Sequence, residues 1–256
     1  MIRLRHTYGM TLRYLRAIVR QPAWVAISLV QPVIWLLLFG ALFKRVADIP
    51  GFSGSYIEFL TPGVVVMLAV LSAGWTGMGF IEDIQRGVMD RFLVSPIWRG
   101  ALNAGSVAGT VISILVQSLI VVGLAVLVGA RFENGVLGIV VLLAVAALLA
   151  AIIGSLSNGV AVLMRERESL IGIVSLVTLP LVFLSTTLMQ ASLLPGWVHW
   201  ASRANPVNWA VEAGRSGATQ NADWSLIGSR VGLLVLLLLA SATFATRAFR
   251  AYQRSI

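Results

Sequence analysis

The chain has 256 residues, 58% hydrophobic and only 11% charged, a balance that excludes a soluble enzyme. It contains no cysteine, which removes disulfide frameworks, thiolate metal sites and thiol nucleophiles together, and His6 and His199 alone cannot build a histidine metal site. The net charge of +9 comes from 18 arginines and Lys44 scattered around apolar runs, so anionic lipid headgroups rather than nucleic acid are the expected partner.

Taken in chain order, residues 1–23 place Leu12, Leu15 and Val19 at helical spacing, and likewise Arg13, Arg16 and Arg20, until Pro22 ends the pattern. This predicts an amphipathic helix lying on the inner leaflet, not a cleavable signal; a solvated basic flank is the alternative. Six stretches then approach the roughly 20 apolar residues needed to cross a bilayer. They are Trp24–Phe43 with Gln31-Pro32, Phe59–Phe80, Ser106–Val128, Val136–Met164, Leu170–Met189 with Pro180, and Leu226–Phe244 with Arg230 at an interface. The fold class is therefore all-α, a single polytopic membrane domain of six spans. Thirteen arginines fall in the N-terminal arm, after spans two and four, and in the tail, against six basic residues in the other connections. That asymmetry predicts both termini in the cytoplasm.

Two connections carry more than a turn requires. Residues 81–100 read IEDIQRGVMDRFLVSPIWRG. Glu82, Asp83, Arg86, Asp90 and Arg91 share helical spacings, with Glu82–Arg86 an i,i+4 pair, while Ile84, Val88, Met89, Phe92 and Leu93 are apolar. A helix with both faces used packs either on the protein's own spans or on a separate cytoplasmic subunit. Residues 190–223 hold Trp197, Trp200 and Trp209, with Trp224 just beyond, around Leu193-Leu194-Pro195-Gly196 and Asn205-Pro206. Tryptophan favours the headgroup level, which predicts two short external helices that dip into the outer leaflet and turn back; an aromatic-belted loop is the alternative.

Reaction chemistry is sparse. A phosphate loop ends in Gly-Lys-Ser/Thr, whereas Lys44 is the only lysine and Arg45 follows it, so ATP is not bound that way. The span interiors offer neutral groups such as Gln31, Ser72, Thr76, Gln117, Ser157 and Thr178 rather than the ionisable ones that ion coupling uses. Gly105-x-x-x-Gly109, continued by Ser113, gives a small-residue stripe suited to close helix packing within the subunit.

The stretch IEDIQRGVMDRFLVSPIWRGALNAG, with Glu82-Asp83, a central Gly87 and Arg91 to Pro96, resembles the cytoplasmic segment of type-2 ABC transporter permeases, notably daunorubicin-resistance-type drug exporters. LLPGWVHWASRANPVNWAVEAGR resembles the same family's outer segment before the last span. The resemblance covers essentially the whole chain and implies a transport subunit, not an enzyme, in the cytoplasmic membrane of a bacterium. It implies two cytoplasmic ATPase subunits, holding ATP and Mg, and a second permease copy, identical or paralogous. The coupling helix would use Glu82, Asp83, Arg86, Gly87, Asp90, Arg91 and Phe92. A substrate path lined by spans one, two and five would include Gln31, Trp35, Met67, Ser72, Trp75, Met78, Thr178, Phe183 and Thr187. An external gate would use Pro195, Trp197, Trp200, Asn205 and Pro206. The expected cargo is amphipathic: a drug, antibiotic, lipid or polyketide. A glycolipid or polysaccharide exporter is the alternative, an importer permease or non-transport scaffold the more distant ones.

Overall fold

The computed structural model describes residues 2–19, 22–43, 55–89 and 99–253. These residues form helices α1 (Ile2–Val19), α2 (Pro22–Leu42), α3 (Tyr56–Gly74), α4 (Met78–Gln85), α5 (Arg99–Leu127), α6 (Gly135–Met164), α7 (Arg167–Phe183), α8 (Gly196–Arg203), α9 (Pro206–Ala218) and α10 (Trp224–Gln253), with a 3₁₀ turn at Ala191–Leu193. No strand occurs among the described residues. Helix satisfies its own backbone polar groups, which is what an apolar surround demands.

Among the described residues, four helical stretches are long and apolar enough to cross a membrane: Tyr56–Gln85, Gly100–Leu127, Gly135–Met164 and Trp224–Gln253. The apolar stretch Ala26–Leu42 of α2 and the 17 residues of α7 are shorter. α2 and α6 follow the predicted spans one and four almost residue for residue. α5 begins at Arg99 rather than Ser106, and α10 runs past Phe244 to Gln253 as one continuous helix. Two spans differ in kind. The second is broken at Trp75–Gly77, so that α4 is a separate short helix. The fifth stops at Phe183, three residues after Pro180, and Leu184–Met189 continue without helix.

α3 sits at the centre, with every residue from Leu60 to Val70 buried among α5, α6 and α9. Small residues permit the closest approaches. A Cβ added at Gly63 would lie 2.2 Å from the Thr187 carbonyl oxygen, and one at Gly138 would lie 2.7 Å from that of Gly217. A second core forms where α6 and α10 finish and α5 and α7 begin. There Phe80 of α4 meets Phe249 edge-on at 5.0 Å, beside buried Met10, Ile81, Leu102, Val162 and Leu170. Arg165 turns the chain from α6 to α7 with φ of 61°, and its guanidinium covers the Tyr252 ring at 4.5 Å.

α1 is built into this core. A Cβ at Gly105 would fall 2.3 Å from Met10 Cβ, and one at Gly109 would fall 2.9 Å from Tyr14 Cβ. The Gly-x-x-x-Gly stripe therefore serves packing inside the subunit, seating α1 along α5.

Candidate functional site

The break between α3 and α4 organises the site. Ending a helix inside an apolar run frees backbone groups that something must satisfy. Ser157 of α6 does so from both sides: its Oγ donates to the Gly74 carbonyl at 2.6 Å and accepts from the Gly77 N–H at 3.0 Å. Thr76 Oγ1 donates to Ala73 O at 2.8 Å and lies 3.2 Å from Thr110 Oγ1 of α5. Gly77 has to be glycine, because a Cβ there would lie 2.4 Å from the Ser157 carbonyl oxygen.

Beyond the break, α4 is held by charges from two other helices. Arg13 of α1 pairs with buried Asp83 at 2.5 Å, and Arg167 of α7 pairs with Glu82 at 3.0 Å. The i,i+4 partner Arg86 stands 3.9 Å from Glu82 and points mostly to solvent. Gly87 then takes a left-handed φ of 66°, with its N–H donated to Ile84 O, a glycine stop that closes the helix. Ile81 and Met89 are wholly buried in the second core, so the protein's own helices take those apolar residues. Asp90, Arg91 and Phe92 lie outside the described residues. Burial first and Asp83 second raise the Tyr14 phenol above its ordinary value, which keeps it neutral beside this cluster.

Beside the break lies a cavity of about 390 Å³ between α2, α3 and α5, with Tyr14 of α1 and Gly79 of α4 also in its wall. Four of the predicted path residues meet there: Gln31, Met67, Ser72 and Trp75. The other five are elsewhere. Trp35 stacks on Phe39 at 4.8 Å, and Met78 packs on the second core. Thr178 borders a separate, almost wholly apolar cavity of about 270 Å³ between α6, α7 and α10. Phe183 is exposed at the end of α7, and Thr187 is buried with its hydroxyl 2.5 Å from that of Ser185.

Sequence reasoning missed the α5 wall. Ser106, Thr110, Ser113 and Gln117 line the cavity, and their 4-3-4 spacing on one helical face was the available signal. Among the described lining residues none is acidic, basic or histidine. Such a cavity takes a molecule with apolar bulk and a few uncharged polar groups.

The far end is locked by amides and an arginine. Asn205 caps α9, accepting from Val207 N at 2.9 Å, with Pro206 in the first turn where its missing N–H is harmless. Its Nδ2 donates to Leu181 O at 2.7 Å and Leu184 O at 2.9 Å, filling the carbonyls left open at the end of α7. Asn208 Oδ1 accepts from the Thr186 N–H and hydroxyl. Arg215 donates to Phe59 O at 3.1 Å and Thr187 O at 2.9 Å while its guanidinium stacks on the Phe59 ring. Glu212 and Arg230 join α9 to α10 at 2.8 Å. Pro195 precedes α8, on which Trp197 and Trp200 are both largely exposed.

The long apolar helices are those of a multi-pass membrane protein. Residues 5–218 match the model of the ABC-2 type transporter family, and the chain belongs to that family. It is 32% identical over 226 residues to a daunorubicin resistance ABC transporter permease, DrrB1, of Streptomyces coeruleorubidus, covering 87% of this chain and 77% of the relative. It is 27% identical to a probable doxorubicin resistance ABC transporter permease, DrrC, of Mycobacterium tuberculosis, over 79% of this chain and 75% of that one. The inner membrane transport permease YadH of Escherichia coli is also 27% identical, over 85% of this chain and 84% of YadH.

Proposed function

We propose that this chain is the membrane-spanning permease subunit of an ATP-driven exporter that moves an uncharged or weakly polar amphipathic molecule, of the drug, antibiotic, lipid or polyketide kind, out across the cytoplasmic membrane of a bacterium. The names of the relatives, two of them drug-resistance permeases, support the cargo class. The observation that carries the mechanism is the Trp75–Gly77 break: Trp75 and Thr76 belong to the cavity wall, and Gly77 starts the short helix gripped by Arg13 and Arg167. A push on α4 is thereby delivered to the cavity over one turn of chain.

In this reading six helices span the bilayer, α2, α3 with α4, α5, α6, α7 and α10, and both termini are cytoplasmic. α7 rises about 25 Å, and the buried Ser185–Thr187 backbone completes its crossing. Two cytoplasmic ATPase subunits, which hold ATP and its Mg, dock on the segment from Glu82 through Phe92, and a second permease copy, identical or paralogous, completes the pathway. Glu82 and Asp83 anchor that segment from within, while Arg86 offers an outward charge. Pro195, Trp197, Trp200, Asn205 and Pro206 belong to the external closure, in which the locked α9 supports an α8 anchored by its tryptophans.

Co-purification of the chain with an ATPase encoded beside it, followed by ATP hydrolysis across a panel of amphipathic compounds, tests the function. Stimulation by some members of the panel is expected; an intact complex that no compound stimulates would count against the exporter. Topology has its own check. Cysteines at Gly87 and Gly196 should differ in labelling by an impermeant thiol reagent on intact cells, Gly196 reacting and Gly87 staying protected. Equal labelling would overturn the six-span arrangement.

A further inference from the structure

We infer that the cavity between α2, α3 and α5 is a ligand site within one subunit, and that the Gln117 carboxamide selects there an uncharged, mostly apolar molecule carrying a hydroxyl group. The inference rests on the cavity being part of the substrate path, and it adds the recognition group and the chemistry of the ligand.

Gln117 lies midway along α5 and is only 4% exposed. One end of its carboxamide is used: Nε2 donates to Ser28 Oγ of α2 at 3.2 Å and to Ser113 Oγ at 3.3 Å. The other end, Oε1, has no hydrogen-bond partner and no surface open to the cavity as placed, so a ligand reaches it by a turn about the broad terminal torsion of this cavity-lining side chain. A buried carboxamide oxygen without a partner is costly, and a ligand that supplies the missing donor removes that cost. A hydroxyl both donates and accepts, so it satisfies this end of the amide whichever way the amide is turned.

The remainder of the cavity sets the ligand's other properties. Met67, Leu68, Leu71 and Ile114 supply apolar lining, and the partly exposed Trp75 adds an aromatic ring on which a flat molecule can stack. Among the described lining residues there is no cation for a phosphate or carboxylate and no carboxylate for an ammonium. The volume falls within the roughly 300–1,000 Å³ of small-molecule sites. A fused-ring molecule with one hydroxyl at its inner edge meets each of these conditions.

The test uses two uncharged probes that differ by one hydroxyl, 2-(hydroxymethyl)anthraquinone and 2-methylanthraquinone, binding to the full chain in lipid nanodiscs without any ATPase. Comparing the ratio of the two affinities between wild type and variant cancels their different partitioning into lipid. In Gln117→Met, which keeps the shape and loses the amide, the ratio is expected to fall about tenfold in disfavour of the hydroxyl, with 2-methylanthraquinone affinity unchanged. Ser72→Phe fills the cavity from the α3 wall without touching the carboxamide, and should abolish saturable binding of both probes. An unchanged ratio in Gln117→Met, or wild-type binding in Ser72→Phe, would overturn the inference, as would cavity water that already satisfies Gln117 and leaves the probes unbound. Binding that behaves as expected in a chain that fails to export with its ATPase would contradict the exporter and leave the site standing. Normal export with an unchanged probe ratio would do the reverse.

Discussion

Asp83→Asn is expected to abolish substrate-stimulated ATP hydrolysis and export while the chain still inserts and co-purifies with its ATPase. The carboxylate is nearly buried and Arg13 is 40% exposed, so the loss of stability lies between the exposed and buried limits for an ion pair, at about 1–3 kcal/mol. The functional loss should exceed that cost, because Asp83 ties α4 to α1 and, in the proposed exporter, lies on the route from the docking segment to the cavity. Exchanging the charges, Arg13→Asp with Asp83→Arg, should recover part of both activities. Export at the wild-type rate in Asp83→Asn would remove α4 from the force path.

Gly77→Val should have a comparable effect by a different route. Its Cβ would overlap the Ser157 carbonyl oxygen at 2.4 Å, backbone against side chain, so either the break or α6 has to shift. Overpacking of this kind costs about 1–3 kcal/mol. The displaced Gly77 N–H and Gly74 carbonyl would also lose Ser157 Oγ. Export is expected to fall to background, with a lowered unfolding temperature. Gly172→Ala on α7 is the control, where the added Cβ meets nothing within 4 Å, and it should export normally. If both variants behave alike, the break has no special role.

Features with local causes were legible in the sequence. Pro22 opens α2 and Asn205-Pro206 opens α9, each through its own backbone preference, whereas the single helix expected over Glu82–Arg91 stops at Gln85, just before the left-handed Gly87. Gly105 and Gly109 announced a close helix contact without saying that α1 would fill it. Features that depend on distant partners were not legible. Trp75–Gly77 reads as continuous span because Ser157, which stabilises the break, is 80 residues away from Gly77. Asp83 reads as a surface charge in register with Arg86, yet its partner Arg13 is 70 residues earlier. The early end of α7 depends on Asn205 reaching back to Leu181 and Leu184. Gln31, Met67, Ser72 and Trp75 of spans one and two border one cavity, whereas the span-five residues named with them lie apart from it, and the polar face of α5 takes that side.

The central claim is that this permease converts ATP hydrolysis in a partner into outward movement of an amphipathic molecule through the cavity beside α4. ATP-dependent accumulation of doxorubicinone, the uncharged aglycone of doxorubicin, in inside-out vesicles, holding the chain with its ATPase, tests that claim most directly. Accumulation is predicted to require ATP and both proteins, and to be lost in Asp83→Asn and Gly77→Val. Accumulation of the same size in vesicles without the chain, or without ATP, would contradict it.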